Sequence, residues 1–217
     1  MGLNCSCPVG AALSDVATSA CPSEMGQIQK VVFQRIYSAS GTKNKFIKAS
    51  ADPKTKASWT PKIAAADGTK VVTSPYLDGI TSEAGAVKTY GSGNAIRNGM
   101  PVVIGREPST FAAMILHQPQ TVITALKTFM CEEVGIYLID QFGRIGAIAD
   151  NATTPANYYP IPISTLFVGD KKLGGFDEPD SNAISWNYAP NWSDNLVFVT
   201  PADFNALTDL DKAVVGS

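Results

Sequence analysis

Residues 111–150 constrain the fold more than any other part of this chain, because several independent signals agree there on strand, helix, strand, turn, strand. Phe111-Ala-Ala-Met-Ile-Leu-His117 is a short apolar run of strand length, read as a buried strand. Gln118-Pro119-Gln120 follows, and proline suits the first turn of a helix, where its missing N–H costs nothing. From there the apolar residues fall at Val122, Leu126, Phe129 and Met130, the i, i+4, i+7, i+8 spacing of one helical face, with Ile123 and Cys131 widening the stripe. The pattern stops at Glu132-Glu133, and Gly135 can close it. That gives a helix of about 14 residues, roughly 20 Å long. The two glutamates lie at the negative end of the helix dipole, so they are either solvated or face a cation on a partner chain. Val134-Gly-Ile-Tyr-Leu-Ile-Asp140 and Arg144-Ile-Gly-Ala-Ile-Ala-Asp150, joined across Gln141-Phe142-Gly143, read as a β-hairpin on which the helix packs its apolar face.

The chain of 217 residues suffices for one large domain or two small ones, and its 45% hydrophobic content supports a proper core. Charged residues make up only 17%, a low density that suits a surface covered by other subunits. A net charge of −2 argues against a nucleic-acid-binding module driven by phosphate neutralisation. No apolar run approaches the roughly 18 residues of a membrane span. Met1-Gly-Leu-Asn-Cys-Ser6 matches the N-myristoylation pattern, with Cys5 and Cys7 as acylation sites, but so short a pattern often arises by chance. No signal peptide is legible, so the sequons at Asn4, Asn151 and Asn191 carry no weight. Cys5, Cys7 and Cys21 suggest three metal ligands without an obvious fourth, a stapling disulfide, or plain reduced thiols, the last being the preferred reading.

Taken in order, residues 1–26 read as an extended N-terminal arm, residues 27–207 as a single β-rich domain, and residues 208–217 as a mobile tail. Residues 27–37 form a first strand with apolar residues on both faces, as expected when one face meets a core and the other a subunit. Residues 38–61 read as a loop rich in lysine (Lys43, Lys45, Lys48, Lys54, Lys56), either solvated or reaching an acidic surface on a neighbouring subunit. Residues 58–67 suggest a short helix capped by Ser58 or Thr60, with Pro61 in its first position. Residues 70–76 read as a strand, and residues 78–99 as glycine-rich turns and bulges around a possible strand Val87-Lys-Thr-Tyr90. Pro101-Val-Val-Ile104 is a further short strand, and residues 161–169 are extended. The acidic turn with Asp170, Asp177, Glu178 and Asp180 lacks the order of a calcium loop and reads as solvated. Residues 183–188 and 195–200 read as a closing hairpin, and Thr200 caps a short helix over 202–207.

The residues of catalysis are missing. The one histidine, His117, ends an apolar run and reads as a satisfied residue near the core edge. A Cys131–His117 pair would put a thiolate on an apolar stripe, where it is disfavoured. No nucleophile elbow, phosphate-binding loop or zinc-protease helix occurs. The chain is read as not an enzyme, with no catalytic, cofactor-binding or metal-binding residues and no cofactor.

Three stretches carry a family resemblance: Met25-Gly-Gln-Ile-Gln-Lys-Val-Val-Phe-Gln-Arg35, Val134-Gly-Ile-Tyr-Leu-Ile-Asp-Gln-Phe-Gly-Arg144, and Ser185-Trp-Asn-Tyr-Ala-Pro-Asn-Trp-Ser-Asp-Asn-Leu-Val-Phe198 with Asp203-Phe204. With the order of elements, they resemble the major tail tube proteins of long-tailed bacteriophages, of the type found in phages of Bacteroidetes, and the tube proteins of related injection systems. The resemblance implies a mainly β, tail-tube-like fold, a β-sandwich or barrel flanked by one α-helix. It implies a structural virion protein, made in the bacterial host cytoplasm, that polymerises as stacked hexameric rings around a channel for DNA ejection. Its partners would be other copies of itself and other tail or connector proteins. Double-stranded DNA would pass without specific binding, and no membrane would be involved. The long loop 38–61 and the arm 1–26 would reach the next ring. Slight acidity suits a channel that must not hold phosphates. Two other readings stay open: another virion part, such as a decoration, connector or baseplate subunit, and a ligand-binding β-sandwich using Trp59, Trp186 and Trp192 as stacking platforms.

Overall fold

The computed structural model describes residues 25–39, 41–91 and 99–211, in two compact units: one comprising residues 25–86 and 108 onward, the other containing residues 87–107. The fold is mainly β. In chain order the elements are β1 (Ile28–Arg35), β2 (Phe46–Ile47), α1 (Lys56–Ala64), β3 (Val71–Thr73), β4 (Asp78–Glu83), β5 (Val87–Tyr90), β6 (Val102–Arg106) and β7 (Ser109–Leu116). They continue with α2 (Gln120–Lys127), β8 (Val134–Asp140), β9 (Ile145–Ala149), β10 (Asn157–Tyr159), β11 (Ile161–Lys172), β12 (Ser181–Tyr188) and β13 (Leu196–Val199).

In the larger unit, β8 is the hub. It pairs with β1 along its whole length on one side, and with β9 and β11 on the other. All seven of its residues are buried, because both its faces are covered. Val134, Ile136 and Leu138 point into one apolar cluster, shared with Val31 and Phe33 of β1, Phe111 and Ile115 of β7, and Ile184 and Trp186 of β12. Tyr137 and Ile139 point the other way, into a second cluster with Val32, Phe46, Trp59, Tyr158 and Leu210. A continuous apolar run is what a strand buried on both faces requires. The first strand is apolar on both faces for the same reason: its second face meets a second core of its own chain, not a subunit as expected from the sequence.

The outer ladder runs β11, β12, β7, β4, all antiparallel. The expected hairpin between residues 183–188 and 195–200 does not form. β12 pairs with β11 and β7, while β13 pairs with β9, so residues 189–194 carry the chain from one layer to the other. The β8–β9 hairpin forms as expected. Its turn is held by Asp140, fully buried, whose Oδ1 accepts from Phe142 N–H (2.9 Å) and Arg144 N–H (2.8 Å), and whose Oδ2 accepts from Gly26 N–H (3.1 Å) and Arg144 Nε (2.7 Å). Gly143 closes the turn at φ +75°, a conformation that a Cβ would strain.

Two α-helices flank the sheet, not one. The helix after β7 has eight α-helical residues and then tightens into a 3-10 turn, Thr128–Cys131. That change of pitch rotates the end of the apolar stripe: Ile123 and Leu126 are buried, while Met130 and Cys131 face out. Gly135 lies in β8 and does not close the helix. α1 starts at Lys56, earlier than the caps suggested, so Pro61 sits in its interior. The lysine-rich segment before it is no excursion, since Phe46 and Trp59 are fully buried with ring centroids 4.4 Å apart. Residues 202–211 form turns, not a helix. Residues 208–211 are docked: Leu210 is buried, and Asp211 Oδ2 accepts from the buried Lys30 Nζ at 2.7 Å.

The β9–β10 connection supplies a pH-sensitive contact. The Asp150 carboxylate accepts from Asn157 Nδ2 (2.7 Å), Asn157 N–H (3.1 Å) and Ala156 N–H (3.0 Å). Led by the side-chain bond from Asn157, these hold its pKa down at about 2. A folded value below the unfolded one, about 3.9, means that the contact stabilises above that pH and is lost as pH falls toward 2. Carboxyl chemical shifts should therefore show Asp150 titrating near 2, and Asn157→Ala should move it back toward 4; titration near 4 in the unaltered protein would contradict the contact.

Candidate assembly surface

The cross-strand register of the outer ladder builds one continuous bare face. Phe111, Ala113 and Ile115 of β7 point inward, so Thr110, Ala112 and Met114 point out, and all three are exposed. Met114 lies opposite Ala183, Ala112 opposite Ser185, and Thr110 opposite Asn187. The rows extend to Thr81 and Glu83 on β4, and to Phe167 and Ser164 on β11. The sequence reading of residues 111–117 as a buried run is therefore half right: one face is core and the other is open. The open face consists mostly of small and uncharged side chains, plus Met114, the half-exposed Phe167, the acids Asp78 and Glu83 at the β4 side, and Lys172 at the end of β11. The three rows through Met114, Ala112 and Thr110 contain no lysine or arginine; the next row on the same face, Leu116–Ser181–Lys172, ends in Lys172, which is paired with Glu178.

Both outer strands of this ladder keep an unpaired edge. Among the described residues β4 pairs only with β7, and all its residues except Ile80 are exposed. β11 pairs with β8 only at Ile161 and Pro162, leaving the rest of its outer edge without a strand partner among the described residues. Exposed edges of this kind are templates for another chain.

The second unit contributes the antiparallel hairpin β5–β6, with Val87 opposite Arg106 and Tyr90 opposite Val102. Val87, Tyr90, Met100, Val102, Val103 and Ile104 are all more than half exposed. A two-stranded hairpin that buries no face is marginal in isolation, and such an apolar surface is a contact surface by default.

The other residues singled out from the sequence play different parts. Glu132 is paired with Arg35 of its own chain at 2.5 Å. Asp170 is paired with Lys127, Glu178 with Lys172 at 2.8 Å, and Asp180 with Lys171 at 3.3 Å. These lysines hold the three carboxyls below the usual carboxylate range, the Asp180 carboxyl also through Gly174 N–H, its largest contribution. His117 is exposed, at φ +52°, after the end of β7, rather than near the core. Trp59 and Trp186 are buried and cannot serve as platforms; Trp186 stacks on Phe111 at 4.2 Å, and Trp192 on Tyr188 at 4.2 Å. Cys5, Cys7 and Cys21 lie outside the described residues. Sequence reasoning missed the bare face, although alternate positions on β7 and β12 without a single charge were its signature.

Neither a known protein family nor a curated protein matches the sequence. Solved structures share a weak likeness. A chain from the tail of an empty gene transfer agent particle with C6 symmetry is similar at 14% identity and a TM-score of 0.31, over 57% of this chain and 82% of that one. A chain of a native gene transfer agent virion gives 12% identity and 0.29, over 56% and 81%. An Hcp protein crystal structure gives 9% and 0.21, over 73% and 88%. At these scores the likeness carries no functional weight, and the reading below rests on the geometry of the chain itself.

Proposed function

We propose that this chain is a structural subunit that polymerises as stacked hexameric rings into a phage-type tail tube, forming the channel for DNA ejection. The observation that carries this reading is the four-stranded outer ladder, with one bare face of mostly small, uncharged side chains and, among the described residues, an open edge on each side. Pairing β4 of one copy with β11 of the next satisfies both edges and turns the ladder into a closed barrel. Six copies supply about 24 strands, which at roughly 4.8 Å each enclose a ring about 37 Å across before strand tilt widens it. The bare face then lines the channel. Asp78 and Glu83 repel phosphates, and Lys172 at the end of the face is paired with Glu178, so DNA slides without being bound. The exposed apolar side chains of the β5–β6 hairpin offer a further surface for contact between copies. Residues 27–207 form the tube domain, and other tail or connector proteins meet the tube ends. The experiment that tests the reading is imaging of the purified chain for hollow rings or tubes.

A further inference from the structure

Lys30 of β1 is buried inside the larger unit, only 3% exposed. An ammonium carries three protons and is costly to bury unless they find partners. Here Lys30 Nζ donates to Leu207 O at 2.8 Å and to Asp211 Oδ2 at 2.7 Å. It also stands over the Tyr76 ring, 4.3 Å from the centroid. Both oxygens belong to residues 203–211, so a side chain of the first strand holds a segment 177 to 181 positions further along the chain.

Residues 203–211 contain no helix and no strand. Their backbone bonds are internal: Thr208 N–H and Asp209 N–H both donate to Asn205 O, at 3.2 and 2.9 Å. Side chains close the same turn, with Asn205 N–H donating to Asp209 Oδ2 and Leu207 N–H to Asn205 Oδ1. Among the described residues, no backbone-to-backbone bond ties 203–211 to the rest of the unit, and the one just before it runs from Ala202 N–H to Lys54 O at 2.8 Å. Side chains make the remaining ties: Lys30 twice, Thr73 Oγ1 to Leu210 O at 2.8 Å, Lys56 N–H to Asp203 Oδ1 at 2.9 Å, and a looser Lys56–Asp209 pair at 3.9 Å. Beneath them Ala206 and Leu210 are buried in the second apolar cluster, with Phe204 and Leu207 packed against it.

A turn that is closed on itself and tied to the body only through side chains can leave without breaking a rung of the sheet. Among its ties the pair made by Lys30 is the strongest, because a buried charged donor outweighs a neutral bond and the Lys56–Asp209 pair is exposed. We propose that residues 203–211 form a latched strap that docks and releases as one unit, hinged after Ala202, with Lys30 as the latch. Closed, the strap covers part of the second cluster and keeps the ammonium out of water. Open, it lays both bare, so the strap decides whether that face of the unit is available for contact. This goes beyond the tube reading and does not depend on it.

Hydrogen–deuterium exchange in increasing urea tests this, on the unaltered chain, Lys30→Met, Asp211→Ala and the double variant. In the unaltered chain the amides of Leu207, Thr208 and Asp209 should be protected, yet depend less on urea than those of β8, because opening the strap exposes less surface than unfolding. Each single substitution should speed the strap amides about ten-fold or more. The double variant should be no faster than the faster single one, since both remove the same tie. Strap amides that share the rate and urea dependence of β8 would overturn the proposal, as the segment would then open only with the whole unit. Unprotected strap amides in the unaltered chain would overturn it too. So would strap amides unchanged by either substitution, or additive effects of the two. Asp211→Ala alters the partly exposed partner and keeps the test open if Lys30→Met does not fold.

Discussion

Asp140→Ala should cost about 3–5 kcal/mol of stability, the range for breaking a buried charge pair by removing one partner. The carboxylate is fully buried and accepts four bonds, three from backbone N–H groups and one from Arg144 Nε. Alanine leaves the N–H groups of Gly26, Phe142 and Arg144 without their acceptor, in a turn too tight to bring water to all of them. It also strands the guanidinium, although Arg144 is partly exposed and recovers some hydration. Asp140→Asn should fall between the two, since its oxygen can serve one pair of donors while its amide faces the other. Urea and thermal unfolding should show the order wild type, Asn, Ala, with the Ala midpoint roughly 10 °C down. A loss under about 1 kcal/mol would mean that the turn is held by the β8–β9 ladder alone.

Thr81→Pro and Ser82→Pro form a matched pair against assembly. Adjacent residues of a strand aim their N–H groups at opposite edges. One of the two prolines therefore removes a donor facing β7, and the other a donor facing the open edge. The second proline costs the isolated subunit little, because no strand among the described residues lies there. In a ring the same position sits in the joint between copies, where proline removes a bond and its ring crowds the incoming strand. Sedimentation should find at least one of the two variants folded, with near wild-type unfolding, yet unable to assemble. Wild-type assembly by both would show that β4 is not the joint.

The parts of the fold legible in the sequence were those fixed by local pattern. The β8–β9 hairpin could be read because a strand buried on both faces is a continuous apolar run, and Gly143 marks its turn. The partner of β13 could not be read. Its apolar pattern would look the same beside β12 as beside β9, and only the crossing at residues 189–194 decides between them. The lysines of residues 38–61 masked Phe46 and Trp59, two anchors in a segment that is otherwise polar. The assembly surface was half legible: an apolar run such as Phe111 to Leu116 says that something covers it, but not whether that is core or a neighbour. The 3-10 turn after α2 could not be foreseen either, and it turned Met130 and Cys131 outward from an otherwise regular stripe.

The measurement that tests the central claim most directly is electron microscopy of the purified chain, with its mass measured in parallel. The proposed hexameric ring, closed through β4 and β11, should appear as six-fold rings or hollow tubes about 100 Å across, a size set by packing six domains of this mass around an open centre. A stable monomer at high concentration, or a closed assembly without a central channel, would contradict it.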